Sequence, residues 1–509
     1  MSNHLFDAIR ARMPAPERLL METDDGRSIA YAEMLERSAQ LAHALTQSGV
    51  TAGDRVAAQV EKSPEAVLLY LACLRAGAVF LPLNTAYTLP ELGYFFGDAE
   101  PRLVVCDPDR LAGIGPLAKA SGAVVATLGR DGQGSLTDSA SRQPTDFGDV
   151  ARGPDDLAAI LYTSGTTGRS KGAMLSHENL ASNARVLVEQ WRFTSDDVLI
   201  HALPIFHTHG LFVATNVILM AGASMLFETK FDPARIVSLL PRATALMGVP
   251  TFYVRLLQQE SLTGEAAGNI RLFVSGSAPL LAETHVAWRE RTGHAILERY
   301  GMTETNMNTS NPYDGERRAG TVGFPLPGVS LRIADPDTGQ ALGQSEVGMI
   351  EVKGPNVFAG YWRMPEKTKA EFRADGFFIT GDLGLIDADG YVHIVGRGKD
   401  LIISGGYNIY PKEIESEIDP LTGVAESAVI GVAHPDFGEG VTAIVVRKPG
   451  STVSAADIIG AISGRLAKYK HPKQVIFVDE LPRNTMGKVQ KNLLREAYKD
   501  LYSPSKAGS

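Results

Sequence analysis

The sequence predicts an α/β protein: helix-covered, mostly parallel β-sheets with a smaller β subdomain. Three observations carry this. Short apolar runs at residues 55–59, 78–83 and 103–106 alternate with helical patterns at 32–47 and 66–76, the strand, helix, strand rhythm of parallel sheets. A chain of 509 residues is too long for one core and predicts two or three folding units. Finally, the glycine- and proline-rich stretches 320–328 and 354–361 flank alternating segments at 329–334 and 349–352 that fit small strands.

Taken in order, Asn3 caps a first helix whose apolar face is Leu5, Ile9 and Met13. The longest apolar run, 67–74, is stopped by Arg75 well short of the ~18 residues a membrane span needs. With 49 Lys+Arg against 58 Asp+Glu the net charge is −9, which argues against a nucleic-acid partner, since that wants a basic face. Cys73 and Cys106 are the only cysteines, too few for a disulfide framework or a zinc site, and predict core residues in a reducing compartment. The expectation is a soluble cytoplasmic protein without a membrane partner. Residues 128–153, rich in Gly, Ser, Asp and Thr, read as a surface excursion.

Residues 161–172, Leu-Tyr-Thr-Ser-Gly-Thr-Thr-Gly-Arg-Ser-Lys-Gly, read as a strand end, a polar loop and, after Ser176, a helix. Gly165, Gly168 and Gly172 let backbone N–H groups approach an anion, Thr163, Ser164, Thr166 and Thr167 add hydroxyls, and Lys171 adds charge. The spacing is not that of a Walker A loop, because two residues separate Gly168 from Lys171 and a glycine follows the lysine. Residues 202–211, Ala-Leu-Pro-Ile-Phe-His-Thr-His-Gly-Leu, place His207 and His209 in a proline-bounded apolar segment. Pro250 starts a helix against it. Residues 272–280 form an apolar strand ending in Gly276, Ser277 and Ala278, whose lack of bulk suits a planar adenine ring against the backbone. In 297–305, Tyr300 offers a π-face, Gly301 a tight backbone, Thr303 a hydroxyl and Glu304 a hard oxygen for Mg²⁺.

In this order, these segments resemble the signatures of the adenylate-forming superfamily, which includes acyl-CoA synthetases, luciferases and the adenylation domains of peptide synthetases. The resemblance covers nearly the whole chain. It implies ATP and Mg²⁺, with Asp382 on the ribose, Arg397 on ribose or phosphate, and His207 lining the acyl pocket. It also implies a large N-terminal domain, 1–398, and a small mobile α+β C-terminal domain, 399–509, with the hinge at Lys399. Gly405, Gly406 and Tyr407 match the loop that enters the site for the CoA step, and Lys488 matches the catalytic lysine, whose acylation would remove its charge.

The implied reaction joins a carboxylic acid to CoA through an acyl-AMP. Residues 293–305 and 315–320 are similar to the malonyl-CoA synthetase branch, which points to malonate, with methylmalonate tolerated. Arg299, Arg255 and Ser277 would then hold the carboxylate that does not react. Alternatives are surface pairing of the two arginines with acids such as Glu298, a different short acid, a luciferase-like oxidase, and an adenylation enzyme that loads a separate carrier protein.

Overall fold

The structure is a computed structural model that describes residues 2–163, 170–404, 407–484 and 487–502. Two large sheets form its body. The seven-stranded sheet has the parallel strands Val79–Pro82, Arg55–Gln59, Leu103–Cys106 and Val124–Thr127, and is extended by Leu157–Thr163, Lys171–Ser176 and Gly360–Tyr361. The nine-stranded sheet centres on parallel strands Leu272–Ser275, Ala245–Gly248, Val198–His201 and Ser224–Phe227. A four-stranded antiparallel sheet, Ser330–Ala334, Gly348–Lys353, Phe378–Ile386 and Val392–Arg397, is the expected β subdomain.

Helix Pro64–Arg75 explains the longest apolar run. Every one of its residues is buried, so it is apolar all round because it lies inside the core, not because it crosses a membrane. The two charges that end it are paired: Glu65 with Arg27 at 2.9 Å and Arg37 at 2.7 Å, and Arg75 with Asp149 at 2.7 Å. Among the described residues no helix is long and apolar enough to cross a membrane.

Two expectations need correction. The chain after the phosphate-loop segment runs first into the strand Lys171–Ser176, antiparallel to Leu157–Thr163. Only then does helix His177–Gln190 begin, capped by the Ser176 hydroxyl, which accepts from the Asn179 N–H. The loop therefore joins two strands, and the register pairs Thr163 with Lys171. Residues 128–153 are also more than an excursion: helix Ser135–Ala140 lies within them, and Leu128, Leu136 and Ala140 are in the core.

From Ile402 onward the strands belong to a separate sheet in which Gly438–Arg447 pairs with Val424–His434 and Gln474–Val478. This segment has its own apolar clusters, one around Ile414, Ile418, Val429 and Val441, another around Ile430, Ile444 and Leu481.

Candidate active site

The parallel strands of the nine-stranded sheet end at one cleft, where open α/β sheets bind ligands. Its volume is about 810 Å³. Thr163, Lys171, His207, Ser277, Arg299, Gly301, Thr303, Glu304, Arg397, Lys399 and Lys488 all line it. Residues distant in sequence thus converge, and the C-terminal unit contributes Arg483, Asn484, Lys488 and Gln490 to a wall made mostly by the large domain. Ser164, Gly165, Thr166, Thr167 and Gly168, and the glycines Gly405 and Gly406, lie outside the described residues.

Gly301 sits at a register shift between the hairpin strands Leu297–Met302 and Asn306–Ser310. A Cβ there would lie 1.8 Å from the Asn306 carbonyl oxygen, so this turn accepts only glycine, and it carries Thr303 and Glu304 into the cleft. Glu304 is buried, with the Tyr361 hydroxyl oxygen 3.1 Å and the Thr163 hydroxyl 3.5 Å from its carboxylate. Tyr361 also stands 2.6 Å from Glu371. One O–H cannot serve both carboxylates, and the shorter contact assigns it to Glu371. Glu304 is left a weakly satisfied buried carboxylate, and burial raises its pKa. Lys171 is 3.2 Å from Glu371 and lies over the Tyr361 ring at 4.0 Å.

This arrangement fits Mg²⁺. Among the described residues no group of three or more His, Cys, Asp or Glu could hold a metal, and Mg²⁺ typically takes one or two carboxylates plus substrate phosphates. Tyr361 and Glu371 were missed from the sequence because nothing local marks them.

Asp382 accepts from the Tyr300 hydroxyl at 2.5 Å and meets Arg397 Nε at 2.6 Å. Asp382 in turn raises the Arg397 pKa. Lys488 reaches solvent at the cleft mouth, yet burial and then Arg397 bring its ammonium down to about 8. Lys399 sits in the 3₁₀ turn Gly398–Asp400, whose Asp400 pairs with Arg495 of the C-terminal unit at 2.7 Å. Tyr407 stays outside the cleft, exposed and stacked on Tyr469 at 4.5 Å.

Another part of the cleft is built around Arg299. Strand alternation turns it inward while Glu298 faces the other way, toward His285 at 3.3 Å and the Gly320 N–H at 3.2 Å, so the two do not pair. Arg299 is 4% exposed, and its Nε and Nη2 have no hydrogen-bond partner among the described residues. Burial lowers its pKa to about 9. His207 lines the same cleft, and burial, then Arg299, bring it down to about 4, which leaves it neutral. His209, not assigned from the sequence, is buried beside them. Its Nδ1 lies 3.2 Å from the Ser277 hydroxyl, and its Nε2 has no hydrogen-bond partner among the described residues. The signal was its spacing from His207, which periodicity cannot separate from core packing.

Three sequence expectations change here. A Cβ on Gly276 would fall 2.4 Å from the Arg299 guanidinium, so the missing side chain makes room for the arginine, not for an adenine ring. Ala278 is half-buried and does not line the cleft. Arg255 is not brought to Arg299: helix Pro250–Leu257 buries Phe252, Tyr253 and Leu256 and leaves Arg255 exposed. Gly276→Ala should therefore push the guanidinium aside and lower kcat/KM for the acid about tenfold or more, with little change in the KM for ATP. Equal activity would show that Arg299 needs no such room.

Residues 9–362 match the AMP-binding enzyme family, and residues 413–488 match the AMP-binding enzyme C-terminal domain. A malonate–CoA ligase of Arabidopsis thaliana is 35% identical over 556 residues, covering 97% of this chain and 91% of its own. A feruloyl-CoA synthase of an Amycolatopsis species is 36% identical over 477 residues, covering 93% and 94%. An ATP-bound crystal structure of MatB from Rhodopseudomonas palustris is 65% identical, with TM-score 0.97 over 99% of this chain and 100% of its own. The apo structure of that protein, with the same coverage, has TM-score 0.86. From the converging strand ends to the lysine supplied by the C-terminal unit, this chain belongs to the AMP-binding, adenylate-forming enzyme family.

Proposed function

We propose that this enzyme ligates malonate, and methylmalonate with it, to CoA through an acyl-AMP. The observation that carries the reading is Arg299, a buried guanidinium lining the cleft whose Nε and Nη2 have no partner among the described residues. Such a group is costly to bury unless a ligand carboxylate meets it. The malonate–CoA ligase of Arabidopsis supports the same substrate. Feruloyl-CoA synthase, similar at nearly equal identity, marks the rival: a cleft for an apolar acid would gain nothing from a buried arginine there.

In the first step a malonate carboxylate oxygen attacks the α-phosphorus of ATP and pyrophosphate leaves. In the second the CoA sulfur attacks the acyl carbon, the thiol proton passes to solvent, and AMP leaves. Arg299, with Ser277 and the neutral His207 and His209, holds the far carboxylate and so aligns the near one. Thr163, Thr303 and Lys171, together with Ser164, Gly165, Thr166, Thr167 and Gly168 of the loop, would serve the phosphates, while Tyr300, Gly301, Asp382 and Arg397 serve the nucleoside. Glu304 would hold Mg²⁺, which offsets phosphate charge when bound. Lys488 places a compact positive charge between the two anions that must meet. The greater similarity to an ATP-bound than to an apo structure supports this as the adenylating arrangement.

The thioester step needs the lysine withdrawn, with Gly405, Gly406 and Tyr407 in its place. We place the hinge at Lys399, between domains 1–398 and 399–509. Lys399→Pro should slow the thioester step more than adenylation, because proline fixes φ where the backbone must turn. If single-turnover rates show both steps intact, the hinge lies elsewhere. Acylation of Lys488 would silence adenylation by removing its charge.

Hydroxylamine trapping tests the function. With ATP and Mg²⁺ but no CoA, malonate should yield hydroxamate and pyrophosphate. Hydroxamate from ferulate or acetate in preference to malonate would overturn the assignment.

A further inference from the structure

A buried cluster around Lys62 takes no part in the chemistry above. Lys62 follows the strand Arg55–Gln59 of the seven-stranded sheet, yet its ammonium reaches into the nine-stranded sheet. There it meets His201 Nδ1 at 2.9 Å, the His201 carbonyl at 2.8 Å and the Glu228 carbonyl at 2.8 Å. On its other side His201 Nε2 lies 2.9 Å from the Gly210 carbonyl and 3.2 Å from the Thr215 hydroxyl, which itself donates to the Gly210 carbonyl at 3.0 Å.

The partners settle the protons. The Gly210 oxygen only accepts, so His201 Nε2 carries the hydrogen and, in a neutral ring, Nδ1 is bare. Burial pushes the Lys62 pKa well down, yet all three groups around its Nζ are acceptors, a set that the three N–H donors of an ammonium satisfy. Burial and Lys62 both oppose a charged His201.

Gly210 belongs to the π-helical turn His209–Thr215, a wide helical geometry that often marks a functional site. Its carbonyl is pinned by two side chains from outside the backbone ladder. The turn is also tight, since a Cβ on Gly210 would fall 2.0 Å from the Pro204 carbonyl oxygen. The residue that opens it is His209, which faces Ser277 at 3.2 Å and stands beside Arg299.

We propose that Lys62 and His201 are positioning residues for acid selectivity: by fixing the Gly210 carbonyl they hold the π-helical turn that aims His209 at Ser277 and Arg299. The inference rests on the reading of Arg299 as the donor to malonate's second carboxylate. Lys62, which follows a strand of one sheet and bonds to His201 and Glu228 at the other, ties the two sheets beside this turn.

Steady-state kinetics of His201→Phe, His201→Gln and Thr215→Val, with thermal unfolding as a check on folding, test this. His201→Phe removes the donor to Gly210 and should raise the malonate KM about tenfold or more, with the ATP KM within about twofold. His201→Gln keeps an N–H that can reach Gly210 and should recover most of the loss. Thr215→Val removes only the second donor and should raise the malonate KM about threefold or more, which decides the matter if His201→Phe does not fold. The proposal is overturned if the malonate KM is unchanged, if malonate and ATP KM rise together, or if Gln rescues no better than Phe. Arg299→Ala in the same assay separates the two levels. If it lowers the malonate-to-acetate ratio while the relay variants do not, the relay alone fails. If it leaves the ratio unchanged, the acid reading itself fails.

Discussion

Lys488→Ala is expected to lower the rate of malonyl-AMP formation by about two to three powers of ten and to spare thioester formation from supplied malonyl-AMP. The reason is electrostatic. Adenylation brings a carboxylate against a triphosphate in a partly dry cleft, and Lys488 is a cation that the C-terminal unit adds there, beside Arg397 and Lys399. Thioester formation starts from an adenylate whose carboxylate charge is already gone, so the lysine has nothing left to offset. The same charge gives a pH signature. Its pKa of about 8 in the free enzyme means the ammonium is present below that pH and lost above it. Adenylation kcat/KM should therefore fall as pH rises through this value. Lys488→Ala should lack that limb, and pyrophosphate release at several pH values reads it. Equal loss of both half-reactions would make the lysine structural.

Arg299→Ala should cut kcat/KM for malonate by about two to four powers of ten, since removing one partner of a desolvated ion pair typically costs about 3–5 kcal/mol. Acetate has no second carboxylate. In the wild type it leaves Arg299 buried and unpaired, so it should be a poor substrate, and it should lose far less than malonate on mutation. Lysine at 299 would restore charge without the paired geometry of the guanidinium and should rescue only partly. A malonate-to-acetate ratio unchanged between wild type and variant, in protein that still binds ATP, would remove Arg299 from the acid site.

Local structure was legible wherever a local rule set it. The strands Arg55–Gln59 and Leu103–Cys106 fall where apolar runs placed them, helix Tyr31–Gln47 begins one residue before its expected start, and Asn3 caps the first helix. What failed was what depends on distant partners. The segment after the phosphate loop reads as the approach to a helix, yet Lys171–Ser176 becomes a strand because Leu157–Thr163 offers it an edge. Leu128 and Leu136 looked like excursion residues in polar surroundings, but core contacts claim them.

The candidate site divides in the same way. Glycines could be picked out by motif, but the use of Gly276 could not, because Arg299 comes from another strand. Arg299 and Arg255 were both candidates by charge, Arg299 the leading one, and helix phase removes the second: Arg255 lies on the exposed side of its helix. Glu371 reaches Lys171 and Tyr361 across the fold with no motif of its own.

The most direct test of a malonate ligase acting through an adenylate is a competition. The wild-type enzyme is given ATP, Mg²⁺, CoA and equal concentrations of malonate, methylmalonate, succinate, acetate and a longer fatty acid, and the thioesters and nucleotides are measured by mass spectrometry. Malonyl-CoA is expected as the main thioester, methylmalonyl-CoA second, with one AMP per thioester. A thioester of acetate or the fatty acid in excess, or ADP in place of AMP, would contradict this assignment.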